Sequence, residues 1–430
     1  MIASATTLGN LYIHPHAEEV ELRDGASMAI IFSTTGRCNP VLVYEEGEAT
    51  DDVAQQPPTV PSPLRGGASA TTVSQINSAT QRGLNGNAHG GPSHSLARRV
   101  AYQCHDMFGF TVTAEEKAAE DFSRRHDEHS ESDLERWGYI VDHWKSVDRT
   151  KLKRLCRRGI PQTLRRVVWQ RLLQSWGAKE RHTGHYARLR SQEMASKDLA
   201  GVIERDLGRT FPTHRLFADG ADGTGQRMLR NVLRAYANYS PAVGYCQGMG
   251  FLAATLILQI EDEEDAFWAL VGLMEGKQYR MGAVFSPGFP ELQSIFSVFD
   301  GLMKKKMPSL YTHLHEQHQV PPSFYSTHWF MTVFTYYFNF GLISRIWDMF
   351  LCEGWKPVYR IALALMKMEE KRLLRLRSDT ELLLALKVIQ EAKRPEKLLK
   401  VASSVKFKTS TMNKLAAEYQ RQATLISGCP

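Results

Sequence analysis

The sequence predicts an all-α body, on three observations. From about Thr113 onward apolar residues recur at helical spacing, as in Leu164, Val167, Val168 and Leu172 after Pro161. No alternating strand pattern competes with that spacing. Pro161, Pro212, Pro241, Pro290, Pro308, Pro321 and Pro357 punctuate the stretch at intervals suiting helices of one to two dozen residues. Ahead of the body, Met28 to Ser33 and Val41 to Tyr44 read as two short strands around a turn at Gly36, Asn39 and Pro40. Residues 46–100 are rich in Gly, Ser, Pro, Ala, Thr, Asn and Gln, with few large apolar groups to offset chain entropy, and are expected to be disordered. Residues 1–110 are therefore expected to be a mostly disordered N-terminal region with a short hairpin. A helical lead-in is expected over 111–150, where Thr113 precedes Glu115, Glu116 and Lys117. The main domain is expected over 151–370. Closing helices over 371–415 break at Pro395, and a frayed tail occupies 416–430.

With 43% hydrophobic and 23% charged residues, the 430-residue chain has an ordinary soluble composition and enough length to bury a large core. Its charge is uneven. Residues 1–100 hold six Arg, no Lys and nine acidic residues, a net of −3, so the remainder of a chain of net +7 carries +10. Such a body could be steered towards an acidic partner or an anionic membrane leaflet, although interspersed charges are also what a solvated surface carries. The six cysteines are dispersed, with no Cys-x-x-Cys pair and no zinc or disulfide spacing, as expected of a protein in a reducing cytoplasm. Nothing before Gly25 resembles a signal peptide, and the longest clean apolar run, Phe251 to Leu258, is far short of the ~20 residues that span a bilayer. Membrane contact is then expected to be peripheral.

Two short motifs carry chemistry. In Lys197 to Leu207, Leu199, Val202, Ile203 and Leu207 form an inward face, while Asp206 and Arg209, three apart, lie together near the helix end ahead of Pro212. Taken alone, that is an ordinary surface ion pair. Further on, Tyr245-Cys246-Gln247 comes after Ser240-Pro241, which resembles a helix start, and precedes the buried-looking run from Phe251 to Leu258. Gly244, Gly248 and Gly250 leave the segment nearly bare, allowing close backbone approach. Taken alone, Tyr245 and Gln247 merely satisfy polar groups at a turn.

Together the motifs resemble the TBC domain of Rab GTPase-activating proteins, whose pattern is Ile-x-x-Asp-x-x-Arg and then Tyr-x-Gln. Further pieces agree in order: Arg158-Gly159-Ile160-Pro161 with Leu164-Arg165 and Val168-Trp169, Arg209 to His214, Gly244 to Met249, Ser326 to Phe330, and Arg345 to Phe350 before Glu353-Gly354. The resemblance spans about Leu152 to Met368 and departs at Gly250, where the family often has a polar residue. It implies a TBC-type irregular helical domain over 151–370. It implies that Arg209 is an arginine finger and Gln247 a glutamine finger, with Asp206 positioning Arg209 and Tyr245 framing the Gln247 segment. Ile203 is the first residue of the motif, and Arg165 and Trp169 match structural and groove-forming positions open to GTPase contact. The implied partner is a GTP-loaded Rab, which brings GTP and Mg²⁺; the chain needs no cofactor of its own and acts as an activator of vesicle-trafficking GTPases. Asp219 to Gly225 is glycine-rich but lacks the Gly-Lys-Ser/Thr that closes a phosphate loop, so the chain is not itself expected to hydrolyse nucleotide. His313, His315 and His318 miss metal-helix spacing, so no metal is expected. Phe324 to Phe340 is crowded with aromatics that read as core, a few exposed members being able to receive a partner's apolar patch. An alternative is a non-catalytic adaptor that binds a Rab through the same groove. A nucleic-acid scaffold would need a clustered Lys/Arg stripe, which the sequence lacks.

Overall fold

The computed structural model describes residues 19–21, 27–32, 38–42, 104–118, 131–194, 196–220, 223–389 and 394–427. By contact the chain divides into residues 1–45 with 102–430, and a separate unit, 46–101, which lies outside the described residues together with the expectation of disorder placed on it.

The expected hairpin is present as part of a three-stranded antiparallel sheet of Glu19–Glu21, Ser27–Phe32 and Cys38–Leu42. Its register corrects the turn. Asn39 and Pro40 are not turn residues but pair with Ile31 and Ile30. Proline is tolerated there because Cys38–Leu42 is an edge strand, where a missing N–H need not break a ladder.

Order in the body begins earlier than Thr113. Cys104–His105 and Thr111–Val112 pair as a small hairpin, within the stretch expected to be mostly disordered up to residue 110. The aromatic rings of its turn explain this. Phe108 and Phe110 lie 5.2 and 5.6 Å, centroid to centroid, from Phe340, and Phe110 meets Phe211 edge-on at 5.4 Å. Thr111 N–H and Arg215 N–H donate across to Thr213 and Gly109 carbonyls. Thr113 then caps the next helical turn in a reciprocal box. Its hydroxyl accepts from Glu116 N–H, and Glu116 Oε2 accepts from Thr113 N–H.

Thereafter the described residues are almost wholly helical. Met249–Ile260 is apolar all round and nearly every residue in it is buried, the mark of a central helix. Glu263–Glu275 packs against it and against Gln162–Leu173, Ser175–Arg181 and Thr224–Tyr239. Phe340–Glu353 and Trp355–Leu373 form the second half of the core. Several helices run fewer than eight residues, shorter than the proline spacing suggests. Pro290, Pro308 and Pro395 each open a helix, where the absent N–H has no intrahelical acceptor anyway. Pro357 is accommodated in the first turn of Trp355–Leu373 for the same reason.

The C-terminal tail is a correction. Residues 416–427 do not fray but continue the helix Thr409–Ser427, which packs along Pro290–Lys306. Gly301 makes the approach feasible, since a Cβ there would sit 2.6 Å from Leu415.

Candidate functional site

Ser196 caps Lys197–Leu207 by accepting from Leu199 N–H at 3.2 Å, and Val202, Ile203, Asp206 and Leu207 turn inward. Ile203 is fully buried beneath the site. The helix ends at Leu207, well before Pro212, and a turn over 208–210 carries Arg209 out of it. Thr210 Oγ1 fastens that turn by donating to the Asp206 carbonyl at 2.8 Å.

Asp206 holds two separate segments together. One carboxylate oxygen accepts from Arg209 Nη2; the other accepts from the Tyr245 hydroxyl at 2.6 Å. The Asp206 side chain is only 4% exposed, whereas that of Arg209 is 46% exposed, so the carboxylate is fixed and the guanidinium faces outward. Burial, reinforced by the Asp206 charge, holds the Tyr245 phenol well above its ordinary pKa, so it stays a donor.

Ser240-Pro241 does not start a helix. Residues 241–243 form a turn closed by Gly244 N–H on Ser240 O at 2.8 Å. Gly244 at φ +61° and Gly248 at φ +102° occupy the left-handed region open to glycine. They swing Tyr245 inward and leave Gln247 half-buried, two residues ahead of Met249–Ile260. Gly248, Gly250 and Phe251 of that helix start line the same cleft as Gln247 and Arg209. A Cβ on Gly250 would lie 3.0 Å from Thr210 Oγ1 and 3.4 Å from the Tyr245 hydroxyl, so the bare position lets the Arg209 turn rest against the helix.

The opposite wall is His328, Met331, Thr332 and Tyr336. After Ser323–Met331 the chain bends sharply through Val333 and Phe334, both fully buried at positive φ (+48° and +66°), a strained conformation for such side chains. The bend returns Tyr336 over the cleft, 52% exposed, stacked on His328 at 5.2 Å and edge-on to Phe251 at 5.1 Å. Burial and the Arg209 charge push the His328 pKa below its ordinary value, which keeps the ring neutral at pH 7.

The structure thus brings Asp206, Arg209, Tyr245 and Gln247 around one cleft of about 120 Å³. Thr210, Phe251, His328, Met331, Thr332 and Tyr336 complete its lining, and the two short motifs do not point to them. The aromatic crowding of 324–340 is the signal for Tyr336, but which members face outward depends on the bend at Val333 and Phe334.

Arg165 and Trp169 are not groove residues. Trp169 is fully buried and Arg165 is 5% exposed. Both serve Asp348, itself fully buried: Arg165 Nε donates to Oδ1 at 3.0 Å, Trp169 Nε1 to Oδ1 at 2.8 Å, and Ile160 N–H to Oδ2 at 2.9 Å. Arg165 Nη2 closes the network on Ile160 O at 2.6 Å. A buried arginine needs such a carboxylate, which is why the pair belongs to the core. The three histidines have different polar partners, although the His313 and His318 rings meet edge to face at 4.5 Å, centroid to centroid. His313 bonds Gln317 and the Leu373 carbonyl, His315 pairs with Asp300, and His318 with Asp379.

Chemically, the cleft offers an outward cation, an amide and the N-terminal end of a helix, whose partial positive charge favours anions. The family model described as Rab-GTPase-TBC domain matches residues 162–374, which includes every residue lining the cleft. Among curated relatives, Ecotropic viral integration site 5 protein homolog of Homo sapiens is 36% identical over 290 residues, 66% of this chain and 34% of that protein. The chain therefore spans about a third of that relative's length. Growth hormone-regulated TBC protein 1 of Xenopus tropicalis is 33% identical over 279 residues, 64% of this chain and 80% of that protein. Among solved structures, the Chlamydomonas flagellar RabGAP TBC domain aligns with a TM-score of 0.58 at 27% identity, over 70% of this chain and 99% of that one. With a relative 33% identical that is matched along 80% of its length, and with the same helical fold, the chain belongs to the Rab-GTPase-TBC domain family.

Proposed function

We propose that this protein accelerates GTP hydrolysis on a Rab-family GTPase by lending it Arg209 and Gln247. The observation that carries the reading is the shared cleft: an exposed guanidinium and a half-buried amide, from separate loops, flank one helix N-terminus. Phosphoryl transfer spreads negative charge over the transferring group and needs an aimed water. Arg209 would neutralise that charge and Gln247 would orient the water, while GTP, Mg²⁺ and the phosphate loop come with the GTPase. Asp206 serves as a resting brace. When Arg209 swings to the phosphoryl group, the buried carboxylate keeps one hydrogen bond, from the Tyr245 hydroxyl, which offsets part of the cost of losing its cation.

Residues 151–370, completed by the C-terminal helices, form the GTPase-binding domain in this proposal. The protein acts from the cytoplasm on vesicle-trafficking GTPases at endomembranes. The test is single-turnover hydrolysis by a panel of GTP-loaded Rabs with the full chain. Acceleration of at least one Rab that disappears with Arg209→Ala is expected. Tight binding of a GTP-loaded Rab with no change in its hydrolysis rate would show an adaptor instead.

A further inference from the structure

We infer that Tyr336 is a docking anchor for the partner GTPase, its ring receiving an apolar side chain that the GTPase presents beside its bound nucleotide. The inference rests on the function proposed above and extends the same site with a side chain that neither finger motif supplies.

A half-exposed tyrosine is ordinary in itself, so its placement carries the argument. Tyr139 sets the comparison. It is 56% exposed and stacks on His143 at 4.1 Å, but the two stand at i,i+4 spacing, so local helix geometry alone brings them together. Tyr336 is 52% exposed and stacks on His328 at 5.2 Å, and it also meets Phe251, on another helix, edge-on at 5.1 Å. In an uninterrupted helix, residues eight apart are separated by about 12 Å along the axis and cannot stack. The bend through Val333 and Phe334 makes the stack, at the cost of positive φ at two buried side chains.

Such strain persists only where packing over-determines it, and it clusters at functional sites. Phe334 stacks on Trp329 at 5.9 Å and on Phe338 at 5.5 Å, and its N–H donates to the Trp329 carbonyl at 3.0 Å. Thr332 Oγ1 donates to the His328 carbonyl at 2.6 Å, and Thr335 Oγ1 to the Thr332 carbonyl at 2.8 Å. What this braced bend presents to solvent is Tyr336. Half-buried Tyr337 backs the ring edge-on at 4.9 Å, so little side-chain freedom is left to lose on binding.

The chemistry of the patch selects its occupant. Tyr336 meets its neighbours through ring surfaces, and the His328 ring is kept neutral by burial and the Arg209 charge. A charged or polar group set against these rings would lose its water with little in return, whereas an apolar one gains contact area. Position names the source. Tyr336 lines the same cleft as Arg209 and Gln247, so a GTPase that offers its nucleotide to those two residues sets the surface beside it against Tyr336.

The test begins with a panel of Rabs loaded with a non-hydrolysable GTP analogue. For the one that the full wild-type chain binds best, Kd is measured, and single-turnover hydrolysis of its GTP form is titrated with the chain. Tyr336→Ala is expected to raise Kd and the half-saturating concentration about tenfold to thirtyfold, as loss of an aromatic anchor does, with a much smaller fall in the limiting rate. Tyr336→Phe restores the ring and is expected to recover most of the loss. Tyr139→Ala removes an equally exposed tyrosine from a histidine stack outside the cleft and is expected to change neither quantity. Should Tyr336→Ala fail to fold, Tyr336→Gln keeps length without the ring, and the same rise in Kd is expected. An unchanged Kd, an equal loss with Tyr139→Ala, or no recovery with Tyr336→Phe would overturn the anchor. Arg209→Ala, run alongside, is expected to lose the rate and keep Kd. If the wild-type chain bound a Rab without accelerating it, the activity proposed above would fall and Kd alone would decide on Tyr336; if it bound no Rab, both would fall.

Discussion

At the residue scale, the Asp206 carboxylate divides its two oxygens between a movable partner and a fixed one. Arg209 is half exposed, so Arg209→Ala is expected to leave the melting temperature nearly unchanged. It should abolish about a thousandfold to a hundred-thousandfold of rate acceleration, some 4 to 7 kcal/mol, in single-turnover assays. Tyr245→Phe acts differently. It leaves Asp206 one donor short at a buried position and is expected to cost about 1 to 3 kcal/mol in urea unfolding. His328 gives a pH signature. Its folded pKa is depressed below the ordinary 6.5, so its contribution to stability is fully present above that value and is lost as pH falls below it. Buried His214 is depressed too and acts in the same window. The specific expectation is that Arg209→Ala raises the His328 pKa, because a neighbouring positive charge has gone. An unchanged imidazole titration by NMR would place the two side chains apart.

Among elements, the join between the Arg209 turn and Met249–Ile260 sets how near the proposed fingers stand. Gly250 is the contact point. Gly250→Ala drives a methyl against Thr210 Oγ1 and is expected to cost about 1 to 3 kcal/mol. Combined with Thr210→Ala, the cost should shrink, giving a measurable coupling in a double-mutant cycle of urea unfolding. Additive losses would mean that the turn does not rest on the helix. Helix interiors were legible from apolar spacing, and so was the Thr113 cap. Helix ends were not, as Ser240-Pro241 and Pro212 show, because local proline rules yield to packing where the chain must turn.

For the whole molecule, Asp348 ties Phe340–Glu353 to Gln162–Leu173 across a separation of nearly half the chain. Asp348→Ala strands the buried Arg165 charge and is expected to cost about 3 to 5 kcal/mol in denaturant unfolding, far more than removal of the exposed Arg209. By itself the sequence determined the helical class, through a helical spacing of apolar residues that recurs along the body, and the identity of Arg209 and Gln247 as chemically apt residues in ordered motifs. Only the tertiary structure decided that the two share a cleft with His328 and Tyr336, that Arg165 and Trp169 belong to the core, and that residues 104–112 and 416–427 are ordered. The physical reason is range. Periodicity is local and can be counted along the chain, whereas convergence, burial of a charge and docking of a terminal helix depend on partners tens to hundreds of residues away, and on strained turns such as Val333-Phe334 that only the surrounding packing can hold.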